Sequence, residues 1–139
     1  MHKRDKPSKK DRPELSRLEL AVMDVVWELG TGSSSQFIAA FQKRRPLAPT
    51  TIRTVLANLR RKGYLVRVPT VERGFRLKAA VSRAAVARRS LRDVLRTLFQ
   101  GSLQQTIACL LSDEKLSDEE MKEIRRILES RSRGKKASS

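Results

Sequence analysis

The chain has 139 residues, with 31 Lys and Arg against 15 Asp and Glu, so its formal net charge is +16. Six aromatics and 39% apolar residues allow one ordinary domain or two small ones with a modest core, short of the large pocket many enzymes need. A single cysteine (Cys109), a single histidine (His2), no apolar run long enough for a membrane span and no apolar stretch after the basic start exclude an internal disulfide, a Cys/His zinc site, a His-based dyad, membrane insertion and a secretory signal.

Residues 1–13 contain no apolar run and read as a disordered basic tail. Ser16-Arg17-Leu18-Glu19 then reads as a capping box that opens a first helix. Leu18, Val22, Val25 and Leu29 recur along it at helical spacing, and Gly30 stops it. A second box, Ser33 to Gln36, opens a helix with Phe37, Ala40 and Phe41 on one face, closed by Pro46 at the latest. Pro49 suits the first turn of a third helix, whose apolar stripe is Ile52, Val55, Leu56 and Leu59 and whose end is Gly63. Leu65 to Val68 and Phe75 to Lys78 alternate apolar and basic residues around the turn chemistry of Pro69 to Gly74, which predicts a β-hairpin.

Three helices followed by a hairpin is the order of a winged helix-turn-helix, over residues 14–81. The period is helical again over 82–130. Ser82 caps a helix running to about Gln100, on which Ala84, Ala87, Leu91, Val94 and Leu98 form a heptad seam. A short helix carries Leu103, Ile107 and Leu110, and a capping box at Ser117 to Glu120 opens a last one with Met121, Ile124 and Leu128. These apolar stripes are too narrow to fold stably alone. The seam is either an internal core or the surface at which a second copy docks, and symmetry doubling a half-site favours the homodimer. Leu91, Val94, Leu98, Ile107, Leu110, Ile124 and Leu128 are its candidate dimerisation residues. Residues 131–139 read as a second disordered basic tail. The fold class expected is therefore mainly α with a small β-hairpin wing, a DNA-binding module followed by a helical dimerisation region.

The charge is uneven: +4 over 1–13, +7 over 14–81, +1 over 82–130 and +4 over 131–139. Such an excess on the winged module points to a polyanion, most simply double-stranded DNA. Opposite its apolar stripe the third helix shows Thr50, Thr51, Arg53, Thr54, Ala57, Asn58 and Arg61. Thr hydroxyls and methyls fit base edges and phosphates, and Arg53 can bond a guanine bidentately. Arg60, Arg61 and Lys62 at the helix end either meet the phosphate backbone or complement the helix dipole. In the wing, Arg67, Arg73, Arg76 and Lys78 are candidates for phosphate contact. Cys109, between Ala108 and Leu110, reads as a small buried hydrophobe. No catalytic residue, metal or cofactor is expected. The rival reading is a nucleic-acid-binding structural protein held by charge alone, without a preferred sequence.

The stretches LSRLELAVMDVVWELG, LAPTTIRTVLANLRRKGYLVRV and GFRLKAAVSR resemble the BlaI/MecI penicillinase-repressor family, which includes copper-responsive members. The resemblance runs from about Leu15 to about Leu128, where SDEEMKEIRRIL is similar to the family's terminal helix. It implies a dimeric transcriptional repressor on a dyad operator, and as a further partner a membrane sensor-protease that cuts the dimerisation region. Carried over, Pro49 starts the recognition helix, Thr51, Arg53 and Thr54 fall on its reading positions, and Trp27 falls on a core-packing tryptophan. The chain departs from the family in two places. It has no cysteine cluster near its end, and it has Leu98-Phe99-Gln100-Gly101-Ser102 where the penicillin-responsive branch is cut at an Asn-Phe bond.

Overall fold

The structure, a computed structural model, describes residues 12–71, 73–113 and 115–138. Its elements run α1 (Arg17–Leu29), α2 (Ser34–Gln42), α3 (Pro49–Arg61), β1 (Leu65–Val68), β2 (Arg76–Ala79), α4 (Arg83–Leu98), α5 (Leu103–Asp113) and α6 (Asp118–Ser138). Serine side chains set most of the helix starts. The boxes at Ser16/Glu19, Ser33/Gln36 and Ser117/Glu120 are each closed in both directions, and the hydroxyls of Ser82 and Ser102 accept from the third N–H of α4 and α5. Each such acceptor satisfies an amide that the helix leaves free.

The chain forms two compact units, 1–89 and 90–139. In the first, α1, α2 and α3 bury Val22, Val25, Val26, Phe37, Phe41, Ile52, Leu56 and Leu59 against one another. The hairpin closes the side of this core through Leu65 and Leu77. Its strands are antiparallel, with Leu65 opposite Ala79 and Arg67 opposite Leu77. A third partner comes from the α1–α2 connection, where Gly32 exchanges both backbone hydrogen bonds with Leu77, at 3.0 and 2.7 Å. A side chain at Gly32 would press on the Phe37 ring at 3.2 Å, so this position suits glycine.

Several boundaries differ from those expected. The second strand begins at Arg76, one residue late, and leaves Phe75 at the edge of the turn. The module does not end at 81. The Trp27 indole N–H donates to the Val81 carbonyl at 2.9 Å, Arg83 pairs with Asp24 at 2.7 Å and lies over the Trp27 ring, and Ala85 and Val86 pack on the core. Trp27 itself is only half-buried: it packs on the core and ties the start of α4 to α1. The basic tail expected over 1–13 lies outside the described residues up to 11, but Arg12 and Pro13 belong to the fold. Arg12 is buried with its Nε donating to the Gly63 carbonyl at 2.7 Å, and the Tyr64 hydroxyl donates to the Pro13 carbonyl at 2.6 Å.

At the other end α6 continues to Ser138, through residues read as a tail. Arg, Lys, Ser and Ala extend a helix that is already nucleated at far lower cost than they could start one.

The second unit has little interior of its own. Among its described residues only Thr106 is buried, its hydroxyl donating to the Ser102 carbonyl. Cys109, expected to be buried, is exposed on α5, because no element of this unit covers that face of the helix.

A buried carboxylate fastens the ends of α1 and α3. Glu19 closes the first capping box and also accepts from the Lys62 ammonium at 2.7 Å, while Lys62 donates to the Glu14 carbonyl at 3.0 Å. Burial of Glu19 acts to raise its pKa, but the hydrogen bonds from Lys62 and Ser16 and the Lys62 charge outweigh it, and the net shift is downward. A carboxylate with a lower pKa in the folded state stabilises the fold fully above the ordinary glutamate range and loses that contribution as pH falls through the lowered value. Glu19→Gln is therefore expected to cost about 1.5–3 kcal/mol at pH 7, with the gap to the parent chain closing as the pH is lowered into the acid range. Urea unfolding at a series of pH values measures it, and a gap independent of pH would mean that the Glu19 charge contributes nothing.

Candidate nucleic-acid interface

The placement of α3 follows from its own sequence. Ile52, Val55, Leu56 and Leu59 are buried, and at 100° per residue this stripe turns Thr50, Thr51, Arg53, Thr54, Ala57 and Arg61 outward, all of them exposed. Pro49 occupies the first turn as expected, and Ala48, at the N-cap, offers no side-chain hydrogen bond. α3 thus begins without the serine that opens each of the other five helices. Its amino end keeps amides and partial positive charge available to an anion.

The outward side chains differ in freedom. Arg53 is exposed and has no hydrogen-bond or ion-pair partner among the described residues. The Thr54 hydroxyl donates to the Thr50 carbonyl at 3.0 Å, so its acceptor capacity and methyl group remain for a base edge. Asn58 is half-buried and its Oδ1 accepts from Arg61 at 2.9 Å; the pair acts as one unit, with Asn58 orienting the guanidinium.

The basic residues of the helix end and the hairpin separate in the same way. Lys62, read as either a phosphate contact or a complement to the helix dipole, is engaged by Glu19 and Glu14 as described above. Arg76 is half-buried at the root of the hairpin, its Nη2 reaching the Thr31 carbonyl at 3.4 Å and the Gln36 side chain at 3.3 Å. That arrangement braces the wing against the start of α2 and turns the guanidinium away from the wing surface. Arg73 and Lys78 are exposed. Arg67, on β1, lies over the Phe75 ring at 4.0 Å, and Arg60, at the end of α3, lies near the same ring at 5.3 Å.

Sequence reasoning passed over Phe75, taking it as a strand residue, and did not single out Arg60 from its neighbours. An aromatic set between Arg73 and Arg76 is the one signal the sequence offers. The Lys62–Glu19 pair, 43 residues apart in the chain, had none.

The candidate dimerisation residues all lie in α4, α5 and α6. Leu91, Val94 and Leu98 on α4, Ile107 and Leu110 on α5 and Leu128 on α6 are exposed, Leu98 by 69%, and Ile124 is half-buried. Among the described residues no helix is long and apolar enough to cross a membrane, and no group of His, Cys, Asp and Glu could hold a metal ion.

A family model described as Penicillinase repressor matches residues 15–130. The methicillin resistance regulatory protein MecI of Mammaliicoccus sciuri is 26% identical over 115 residues, 83% of this chain and 93% of that one. The penicillinase repressor of Bacillus licheniformis is 28% identical over 124 residues, 89% and 96% of the two chains. Among solved structures, the solution structure of the DNA binding domain of the repressor BlaI aligns with a TM-score of 0.48 at 28% identity, covering 54% of this chain and 90% of that one. The resemblance carried by the first helix and the Thr-Thr-Ile-Arg-Thr run thus extends over most of the sequence, and the chain belongs to the penicillinase repressor family.

Proposed function

We propose that the protein is a sequence-specific DNA-binding repressor that acts in the cytoplasm as a homodimer on a dyad operator, α3 entering the major groove of each half-site and the hairpin lying along the backbone. Family membership supports the repressor role. The observation that carries the base-reading part is the outward face of α3, where Thr51, Arg53 and Thr54 stand exposed on a helix whose rotation the core fixes. The exposed apolar faces of α4, α5 and α6 support the homodimer, since burying them against a second copy removes apolar area from water.

The turn between α4 and α5 has Gln100 at φ 50 and Gly101 at φ 82, and by the family resemblance it corresponds to the region where the penicillin-responsive branch is cut. It holds no Asn-Phe bond, so this proposal includes no sensor-protease.

Selection from a pool of random duplexes tests the reading against its rival. Enriched sites are expected to be dyads with half-sites about one helical turn, or a multiple of it, apart; a pool without enrichment would favour binding by charge alone. Arg53→Ala is expected to cost roughly 1–3 kcal/mol on the selected site and to relax discrimination at one base pair. Equal losses on selected and scrambled duplexes would remove Arg53 from base reading. Leu91→Asp is expected to yield monomers in sedimentation, and a persisting dimer would place the interface elsewhere.

A further inference from the structure

Most cations around the end of α3 have acceptors within the protein: Arg61 has Asn58, Lys62 has Glu19 and Glu14, and Arg76 has Thr31 and Gln36. Arg60 and Arg67 do not. Among the described residues neither makes an ion pair or a side-chain hydrogen bond, and both converge on Phe75.

The convergence follows from two periodicities. Residues two apart on a strand share a face, so Leu65 and Arg67 on β1 look the same way as Leu77 and, continuing the alternation, Phe75. Leu65 and Leu77 fill the core, while Arg67 and Phe75 carry that face outward to its rim. On α3, Arg60 lies seven residues after Arg53, two turns along and within about 20° of the same line. The side of the helix that presents Arg53 therefore runs directly onto the Phe75 ring.

Stacking on a ring engages the flat side of a guanidinium and leaves its N–H donors free at the edge. With both groups on one ring, two positive charges stand closer than the screening length of about 10 Å at 0.1 M salt. Such an arrangement is unfavourable alone and is relieved by an anion between or beside the two groups.

We propose that Phe75 is a positioning residue of the DNA interface, its ring holding Arg60 and Arg67 together as a two-guanidinium seat for the phosphodiester backbone beside the groove that α3 enters. This rests on the DNA-binding reading above and deepens it. Phe75 sets the spacing between the reading helix and the wing, and the arginines supply the charge. The seat is independent of base sequence, since phosphates carry no sequence information.

The test is fluorescence anisotropy of the full chain on a labelled duplex of scrambled sequence, between 50 and 300 mM salt. The log–log salt slope counts the phosphates neutralised, at about 0.9 per contact. The double variant Arg60→Ala/Arg67→Ala is expected to make the slope shallower by roughly 2. Phe75→Leu, which removes no charge and keeps an apolar side chain, is expected to lose about 1 or more of the same slope. Phe75→Tyr is expected to restore it. Thermal melts that coincide for the Leu and Tyr variants would separate positioning from stability. If Phe75→Leu keeps the parent slope, the ring positions nothing. If the double arginine variant keeps it, there is no seat. A parent chain that fails to bind duplex would instead overturn the DNA-binding reading, and this proposal with it.

Discussion

The rotation of α3 about its own axis is the constraint on which the interface depends. Four apolar residues, Ile52, Val55, Leu56 and Leu59, occupy about a third of the helix circumference and are buried among α1, α2 and the hairpin. Turning the helix by one residue would carry most of these side chains out of the core and bring arginines or threonines into it, a change of several kcal/mol. The core therefore selects the outward face without touching it. Fastenings at the carboxyl end hold the same helix along its axis: Lys62 to Glu19, the Gly63 carbonyl to Arg12, and the Tyr64 hydroxyl to Pro13. The amino end, without a side-chain cap, is left comparatively open. A helix anchored at its far end and free at its near end suits the insertion into a groove proposed above, because the groups that would meet the DNA are not those that hold the fold.

The same division runs through the positive charge. Counting basic residues predicts a polyanion partner but does not say which of them face it. Lys62 and Arg76 have protein acceptors and act as braces, the first between α3 and α1, the second between the wing and α2. Arg53, Arg73 and Lys78 stand exposed, and Arg60 and Arg67 rest on a ring. Phosphate contact sets affinity and its salt dependence, whereas base-edge contact sets the sequence preference. On the proposed reading, substitution of a bracing cation would disturb both through the fold, substitution of Arg60, Arg67, Arg73 or Lys78 would disturb the phosphate term alone, and substitution of Arg53 would disturb base reading.

What was legible in the sequence is what depends on near neighbours. The serine boxes, the apolar stripes and the hairpin follow from spacings of two to four residues, and the winged-helix order follows from their succession. Pairings between distant segments were not legible. Nothing in the run Arg60-Arg61-Lys62 says that the lysine turns inward to Glu19 while the first arginine lies over the Phe75 ring. Arg76 looked like a wing cation because its partners, Thr31 and Gln36, belong to a segment about forty residues earlier. The tail boundaries failed for a related reason. Arg12 reads as one more charge in a basic run until the fold brings Gly63 and Tyr64 beside it, and residues 131–138 lack apolar spacing but inherit a helix from Asp118 onward.

The two units differ in what stabilises them, and the difference bears on regulation. The first has a continuous core; the second carries exposed leucines and isoleucines on three helices and buries only Thr106 among its described residues. A segment of this kind gains its packing from association, so on the homodimer reading its order depends on protein concentration and on whatever competes for its apolar faces. A single winged module offers too few base contacts to select one site against a genome of competing duplex, and pairing two modules multiplies the discrimination. On the homodimer reading, occupancy of an operator would then respond to association through the second unit as well as to the DNA-binding module itself. On the same reading derepression would need no change at α3: parting the two copies at the apolar faces of α4, α5 and α6 would leave each proposed reading helix with the low affinity of a half-site.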